Sequence, residues 1–150
     1  MMAVKPIPEG YHTVTPVLTV QGAAKLIEFL KEAFDAKEIY RLPGPDGAVM
    51  HAEVKIGNSM VMLGEATDQW KAMPAKIALY VEHADALYKR ALEAGATSVK
   101  EPSDQFYGDR SAGVKDFAGN HWWIHTHIED VSPEEIKKRA DLWMKQQQKN

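Results

Sequence analysis

Leu18-Thr19-Val20 recurs as Leu79-Tyr80-Val81, and Ser59-Met60-Val61-Met62-Leu63 falls on Asn120-His121-Trp122-Trp123-Ile124, both at a spacing of 61. Between these strand-like anchors Ala23 matches Ala84 and Leu26 matches Leu87, each in a stretch of helical period. The hairpin marker Gly57-Asn58 returns as Gly119-Asn120, one residue out of step. Self-similarity over this length marks an internal repeat of one supersecondary unit.

Working outward, Thr13–Val20 (TVTPVLTV) alternates and is rich in β-branched residues, which predicts a strand; Pro16 restricts it to an edge or a bulge. Gly22–Ala36 predicts a helix with Leu26, Ile27, Leu30, Ala33 and Phe34 on one face. Lys37–Leu42 predicts a second strand, and Gly44-Pro45-Asp46-Gly47 a turn. Met50, Ala52, Val54 and Ile56 alternate with His51, Glu53 and Lys55, the pattern of a half-buried strand, and Ser59–Gly64 is the fourth. After the polar stretch Glu65–Pro74 the order restarts with a strand at Lys76–Val81 and a helix at Ala84–Ala94 ended by Gly95. Strands at Thr97–Lys100, Ser111–Lys115 and His121–Thr126 follow, with a loop over Pro102–Asp109. Ser132-Pro133-Glu134-Glu135 is a capping box with proline at the first helical position; it opens a helix to about Gln147 with Ile136, Ala140 and Trp143 on one side. The predicted fold class is α+β: tandem βαβββ modules at about 13–64 and 76–127, plus a C-terminal helix at about 132–147, in a single domain spanning 1–150.

A chain of 150 residues, 45% hydrophobic and 26% charged, can bury a core without covalent staples. Its net charge of −3 implies no broad basic surface, so no nucleic-acid partner is expected. With no cysteine, disulfides, thiolate catalysis and Cys-ligated zinc are excluded, and a reducing cytoplasm suits the chain. The first eleven residues hold Pro6, Pro8 and Gly10 but no apolar run, unlike a signal peptide, and no membrane span is expected.

Several stretches carry a family resemblance: Thr15-Pro16, the helix Ala23 to Ala36, His51-Ala52-Glu53, Tyr107-Gly108-Asp109-Arg110, and above all Asp116-Phe117-Ala118-Gly119-Asn120-His121-Trp122-Trp123-Ile124. In this order they resemble the glyoxalase/bleomycin-resistance (vicinal oxygen chelate) superfamily, and more narrowly its PhnB-like branch, where Phe117-Ala118 usually reads Pro-Phe. The resemblance covers about Thr13 to Glu129. It implies two half-barrels, helices outside, closing around one cavity, and commonly a homodimer. It also implies a divalent metal held by one residue from the first and last strand of each module. Carried over, those positions are Thr15, Met62, Lys76 and Trp123. Methionine suits soft copper(I), lysine would have to lose its proton, threonine is a poor ligand and tryptophan is none. The family metal is therefore not expected here, nor is the isomerisation or extradiol cleavage that depends on it.

Strand parity offers an independent reading of the cavity. The apolar sets Val14-Leu18-Val20, Met50-Ala52-Val54, Val61-Leu63, Ile77-Leu79-Val81 and Trp122-Ile124 are assigned to the helix side. Thr15, His51, Glu53, Met60, Met62, Lys76, Tyr80, Trp123 and His125 then face the cavity, an aromatic and thioether-rich lining suited to a planar or amphipathic small molecule. Tyr107 and Arg110 stand near its rim; Arg110 can meet an anion there or simply pair with Asp109. His51 and Glu53, two apart on one strand, can form a general base and its orienting carboxylate, or a plain hydrogen-bonded pair. A non-standard divalent metal could use His51, Glu53 and His125. His121 and His127 cannot share one ion, because six residues of strand separate them by about 20 Å. Trp122 and Trp143 are assigned to packing, the latter as anchor of the last helix. Three functions stay open: a protein binding a small organic molecule without cofactor; an enzyme of lyase, isomerase or dioxygenase type using His51 and Glu53, with or without a non-standard divalent metal; and a protein with a vestigial cavity that works through a partner or as a subunit, for which the polar C-terminal helix offers no support.

Overall fold

The computed structural model describes residues 3–149. The chain runs β1 (Val17–Val20), α1 (Ala23–Phe34), β2 (Lys37–Pro43), β3 (Val49–Ile56) and β4 (Ser59–Glu65). It repeats as β5 (Lys76–Tyr80), α2 (Ala84–Glu93), β6 (Thr97–Asp104), β7 (Asp109–Lys115) and β8 (His121–His127), and ends in α3 (Pro133–Gln148). Each module makes one mixed sheet, in the orders β1-β4-β3-β2 and β5-β8-β7-β6. In each, the first strand lies parallel to the fourth and the other pairs are antiparallel. A parallel pair needs a crossover, which α1 and α2 supply. The α+β class and the tandem βαβββ order are as the repeat predicts.

The helices cover one face of each sheet. Leu26, Ile27, Leu30 and Ala33 of α1 are fully buried against Leu18, Val20, Ala52, Val54 and Leu63. Each helix start is capped from the far end of its module. The Glu65 carboxylate accepts the N–H groups of Gly22 (2.8 Å) and Ala23 (3.0 Å). Thr126 Oγ1 accepts that of Ala84 (2.9 Å) and donates to the Val81 carbonyl (2.8 Å). These caps satisfy amides that the helix itself leaves unpaired. The modules meet through α1 and α2, where Arg90 donates to the Glu32 carbonyl (2.8 Å). Trp122 is fully buried and packs on Phe34, with ring centres 5.2 Å apart.

The most family-specific stretch turns out to be structural. The buried Asp116 carboxylate accepts from the backbone of Ala118 (2.9 Å) and Asn120 (3.0 Å), from the Asn120 amide (3.0 Å) and from the Trp122 indole (2.8 Å). Asn120 in turn accepts from the Ala75 N–H (2.9 Å). The network ties the β7–β8 hairpin to the start of β5, so every buried polar atom in it has a partner.

Four expectations need correction. The first strand begins at Val17, not Thr13; Pro16 has no N–H to offer a ladder, and Val14 is 83% exposed instead of facing the helix. Met50 is likewise exposed, and Val49 takes its place in the core. Leu42 pairs with His51 while Pro43 pairs with Val49, so Met50 is the extra residue of a bulge that resets parity. The loop expected over Pro102–Asp109 shrinks to 105–108, because β6 continues through Pro102 as an edge strand with shifted register and β7 opens at Asp109. Finally, Trp143 does not anchor α3 by burial; it is half exposed and touches Phe106 with ring centres 5.9 Å apart. Arg139 holds the helix instead, through Glu129 (2.8 and 3.0 Å) and the Phe106 carbonyl (3.2 Å). The Ser132 cap forms as its motif implies, accepting the Glu135 N–H at 3.2 Å.

Candidate functional site

The faces turned away from the helices carry the chemistry. In module one, cross-strand pairing lines up Leu42 with His51, and Tyr40 with Glu53, Met62 and Val17. His51 Nε2 lies 3.6 Å from Glu53 Oε2, close enough for attraction but long for a direct hydrogen bond. Glu53 Oε1 accepts the Tyr11 hydroxyl. Tyr11 was missed by sequence reasoning: it lies on the irregular arm before β1, and no local signal points it at a residue 42 positions on.

Module two holds a hollow of 420 Å³ lined by Lys76, Ala78, Lys100, Tyr107, Ser111, Trp123 and His125. Its floor is the row Lys100–Gly113–Trp123–Ala78. The Trp123 ring lies so close over Gly113 that a Cβ there would come within 2.7 Å of it, so glycine lets the indole sit in this position and any larger residue would make the ring shift. The Lys76 ammonium stands 5.4 Å from the Trp123 ring centre. Lys100 and Ser111 were also missed, since a bulged edge strand and a short β-run obscure their parity.

A titratable cluster backs this hollow. Asp109 is buried; its Oδ2 accepts the Tyr80 hydroxyl (2.6 Å) and its Oδ1 bonds His127 Nδ1 (2.8 Å). Burial pushes the Asp109 carboxyl up, but Tyr80, His127 and the charge of His125 outweigh it, and the carboxyl stays below its ordinary range. His127 is raised by Asp109 and then by Asp130, which bonds its Nε2 at 2.7 Å. Asp109 likewise raises the Tyr80 phenol. The Tyr80 ring stacks on His125 with centres 5.2 Å apart. His125 Nδ1 sits 3.8 Å from Asp109 without a hydrogen bond, and it and Trp123 Nε1 are buried without a partner.

A third space, a groove of 820 Å³, runs between the modules along β5 and takes in Thr15, Met60 and Tyr80. The expected lining residues are thus divided. His51, Glu53 and Met62 share module one's sheet face; Lys76, Tyr107, Trp123 and His125 share the module-two hollow; Thr15 and Met60 line the groove. Arg110 pairs with neither a free rim position nor Asp109. Its guanidinium is bound by Asp85 (2.6 and 2.9 Å) and Asp104 (3.0 Å), which together raise its pKa.

The metal implied by the resemblance does not fit these residues. Thr15, Met62, Lys76 and Trp123 provide no ligand set for a hard or borderline ion. Among the described residues no three His, Asp or Glu side chains converge in metal-holding geometry, so the alternative set His51, Glu53 and His125 is not assembled within the chain. No described helix is long and apolar enough to cross a membrane.

Comparison with known proteins agrees with this architecture. Residues 11–124 match the model of the Glyoxalase/Bleomycin resistance protein/Dioxygenase superfamily. An uncharacterized protein of Mycobacterium bovis is 40% identical over 83% of this chain and 89% of its own length. Among solved structures, TioX from Micromonospora sp. ML1 superposes with a TM-score of 0.68 at 21% identity, over 78% of this chain and 99% of that one. The fosfomycin resistance protein FosX from Mesorhizobium loti does so at 0.57 and 18% identity, over 83% and 95%. At these identities the structures speak for the fold alone, whereas the match over 11–124 and the 40% relative establish descent: the chain belongs to the Glyoxalase/Bleomycin resistance protein/Dioxygenase superfamily.

Proposed function

We propose that this protein binds a small organic molecule against the open faces of its sheets, without the divalent metal that the family implies, and that it belongs to the PhnB-like branch and works in the cytoplasm. The observation that carries the reading is the 420 Å³ hollow at Trp123. An indole floor ringed by a few polar groups is the composition of a small-molecule pocket. The test is a melting series with a panel of small organic acids, amides and amines. A true ligand at about 100 times its Kd adds about 2.7 kcal/mol and raises Tm accordingly. A panel in which no compound moves Tm would sink the reading. Elemental analysis and melting with and without chelator test the metal half: no bound ion and an unchanged Tm are expected. A stoichiometric divalent ion whose removal lowers Tm would replace it.

One observation favours a second reading, an enzyme of lyase, isomerase or dioxygenase type: Tyr11 bonds Glu53, and His51 stands 3.6 Å from the same carboxylate. There His51 would act as base and Glu53 would orient it. Glu53→Gln that keeps binding but abolishes conversion of the bound compound supports this reading; unchanged chemistry removes it.

We also propose a homodimer. The outer edge of β5 is unpaired by its sheet and borders the intermodule groove, and Tyr80 on this strand is 68% exposed. Sedimentation is expected to give a dimer; a monomer over a wide concentration range overturns this.

A further inference from the structure

We propose that the molecule received at Trp123 is a planar organic anion, an aromatic or conjugated carboxylate, steered and held by Lys76 and Lys100. This rests on the reading that the hollow binds a small molecule, and adds the charge and shape of that molecule.

The charge follows from what surrounds the hollow. Lys76 comes from β5 and Lys100 from β6, the two edge strands of the sheet, so the cations face one concavity from opposite sides. Among the described residues neither has a carboxylate within ion-pair distance, whereas Lys5, Lys31, Lys37 and Lys137 each do. No Asp or Glu lines the hollow. Asp109, the acid beside His125, has both oxygens committed to Tyr80 and His127. Two uncompensated cations facing one cleft make a local positive field in a chain whose net charge is −3. An anion relieves their repulsion and gains charge-assisted hydrogen bonds. A cationic ligand would meet the same field as repulsion.

The shape follows from the floor. The Trp123 ring, seated over Gly113, presents a flat aromatic surface, and the Lys76 ammonium stands 5.4 Å from its centre. An anionic group bound at Lys76 therefore brings the rest of its molecule onto the indole, where a planar system gains most by offset stacking.

Calorimetric titration of the full chain with 2-naphthoate, 2-naphthamide and cyclohexanecarboxylate tests both properties. The naphthoate is expected to bind at least about ten-fold more tightly than the amide, the discrimination of one hydrogen bond to a charged group. It should also exceed the non-planar acid. Lys76→Met and Lys100→Met should each weaken naphthoate binding several-fold and leave the amide unchanged, and Lys76→Arg should restore most of the preference. Equal or tighter binding of the amide, naphthoate binding indifferent to both lysine variants, or no naphthoate binding at all would each overturn the proposal. If another compound of the melting panel still raises Tm, only the ligand class is wrong; if none does, the binding reading falls with it.

Discussion

The two modules share a repeat but keep only one of its faces. On the helix side, equivalent positions do equivalent work with different groups: Glu65 and Thr126 cap α1 and α2. Ala52 and Ala112 are both fully buried, opposite Leu63 and Ile124. On the open face the repeat diverges. Where module one sets Glu53 against Met62, module two sets Gly113 against Trp123. The first arrangement leaves a carboxylate bonded by Tyr11; the second leaves a flat indole between two lysines. Packing density explains the contrast. A core position must fill a fixed volume beside a helix, whereas an open face accepts any side chain that water or a ligand can meet.

The comparison can be broken most forcefully at the two alanines. Ala52→Asp and Ala112→Asp are each expected to cost about 3–5 kcal/mol, the scale of an uncompensated buried charge, while His51→Ala changes stability by no more than about 0.5 kcal/mol. Urea unfolding of the three variants checks this; a harmless Ala52→Asp beside an unfolded His51→Ala would invert the assignment of faces. The glycines give a smaller contrast. A Cβ at Gly64 would lie 2.5 Å from the Met50 carbonyl oxygen, a backbone atom, while at Gly113 it would meet the Trp123 ring, which can shift. Gly64→Ala should therefore fall near the top of the overpacking range of about 1–3 kcal/mol and Gly113→Ala near the bottom. Only Gly113→Ala should alter tryptophan fluorescence at the hollow. Equal costs with unchanged fluorescence would mean that Trp123 is not seated on Gly113.

The smallest effect is the pH dependence contributed by His127 and Asp109 of module two. His127 is raised above its ordinary 6.5 by Asp109 and Asp130, so its contribution to stability is whole below that value and is lost as pH rises through the folded-state pKa. Asp109, held low, acts in the opposite sense: its contribution is present above the ordinary carboxylate value and is lost as pH falls through the lowered one. His127→Gln should therefore lower Tm most near about pH 6 and least near about pH 9, bracketing the histidine range. A deficit that grew with pH would contradict the Asp109–His127–Asp130 arrangement.

What could be read in the chain without its structure follows from short-range periodicity. Alternation along β3 puts His51 and Glu53 on one face because neighbouring side chains of a strand point opposite ways, and that holds whatever the strand pairs with. The repeat orders the strands, the Ser132 box starts α3, and the residue types at Thr15, Met62, Lys76 and Trp123 speak against a metal wherever they lie. Tertiary structure decided the rest. The bulge that expels Met50 depends on how Pro43 pairs across the sheet. The caps of α1 and α2 come from 42 or 43 residues away. Arg110 is claimed by Asp85, 25 positions back, and Tyr11 reaches Glu53 across 42. Each is a contact between segments brought together only by folding, and local pattern carries no information about a partner that the chain meets only after its sheets have closed.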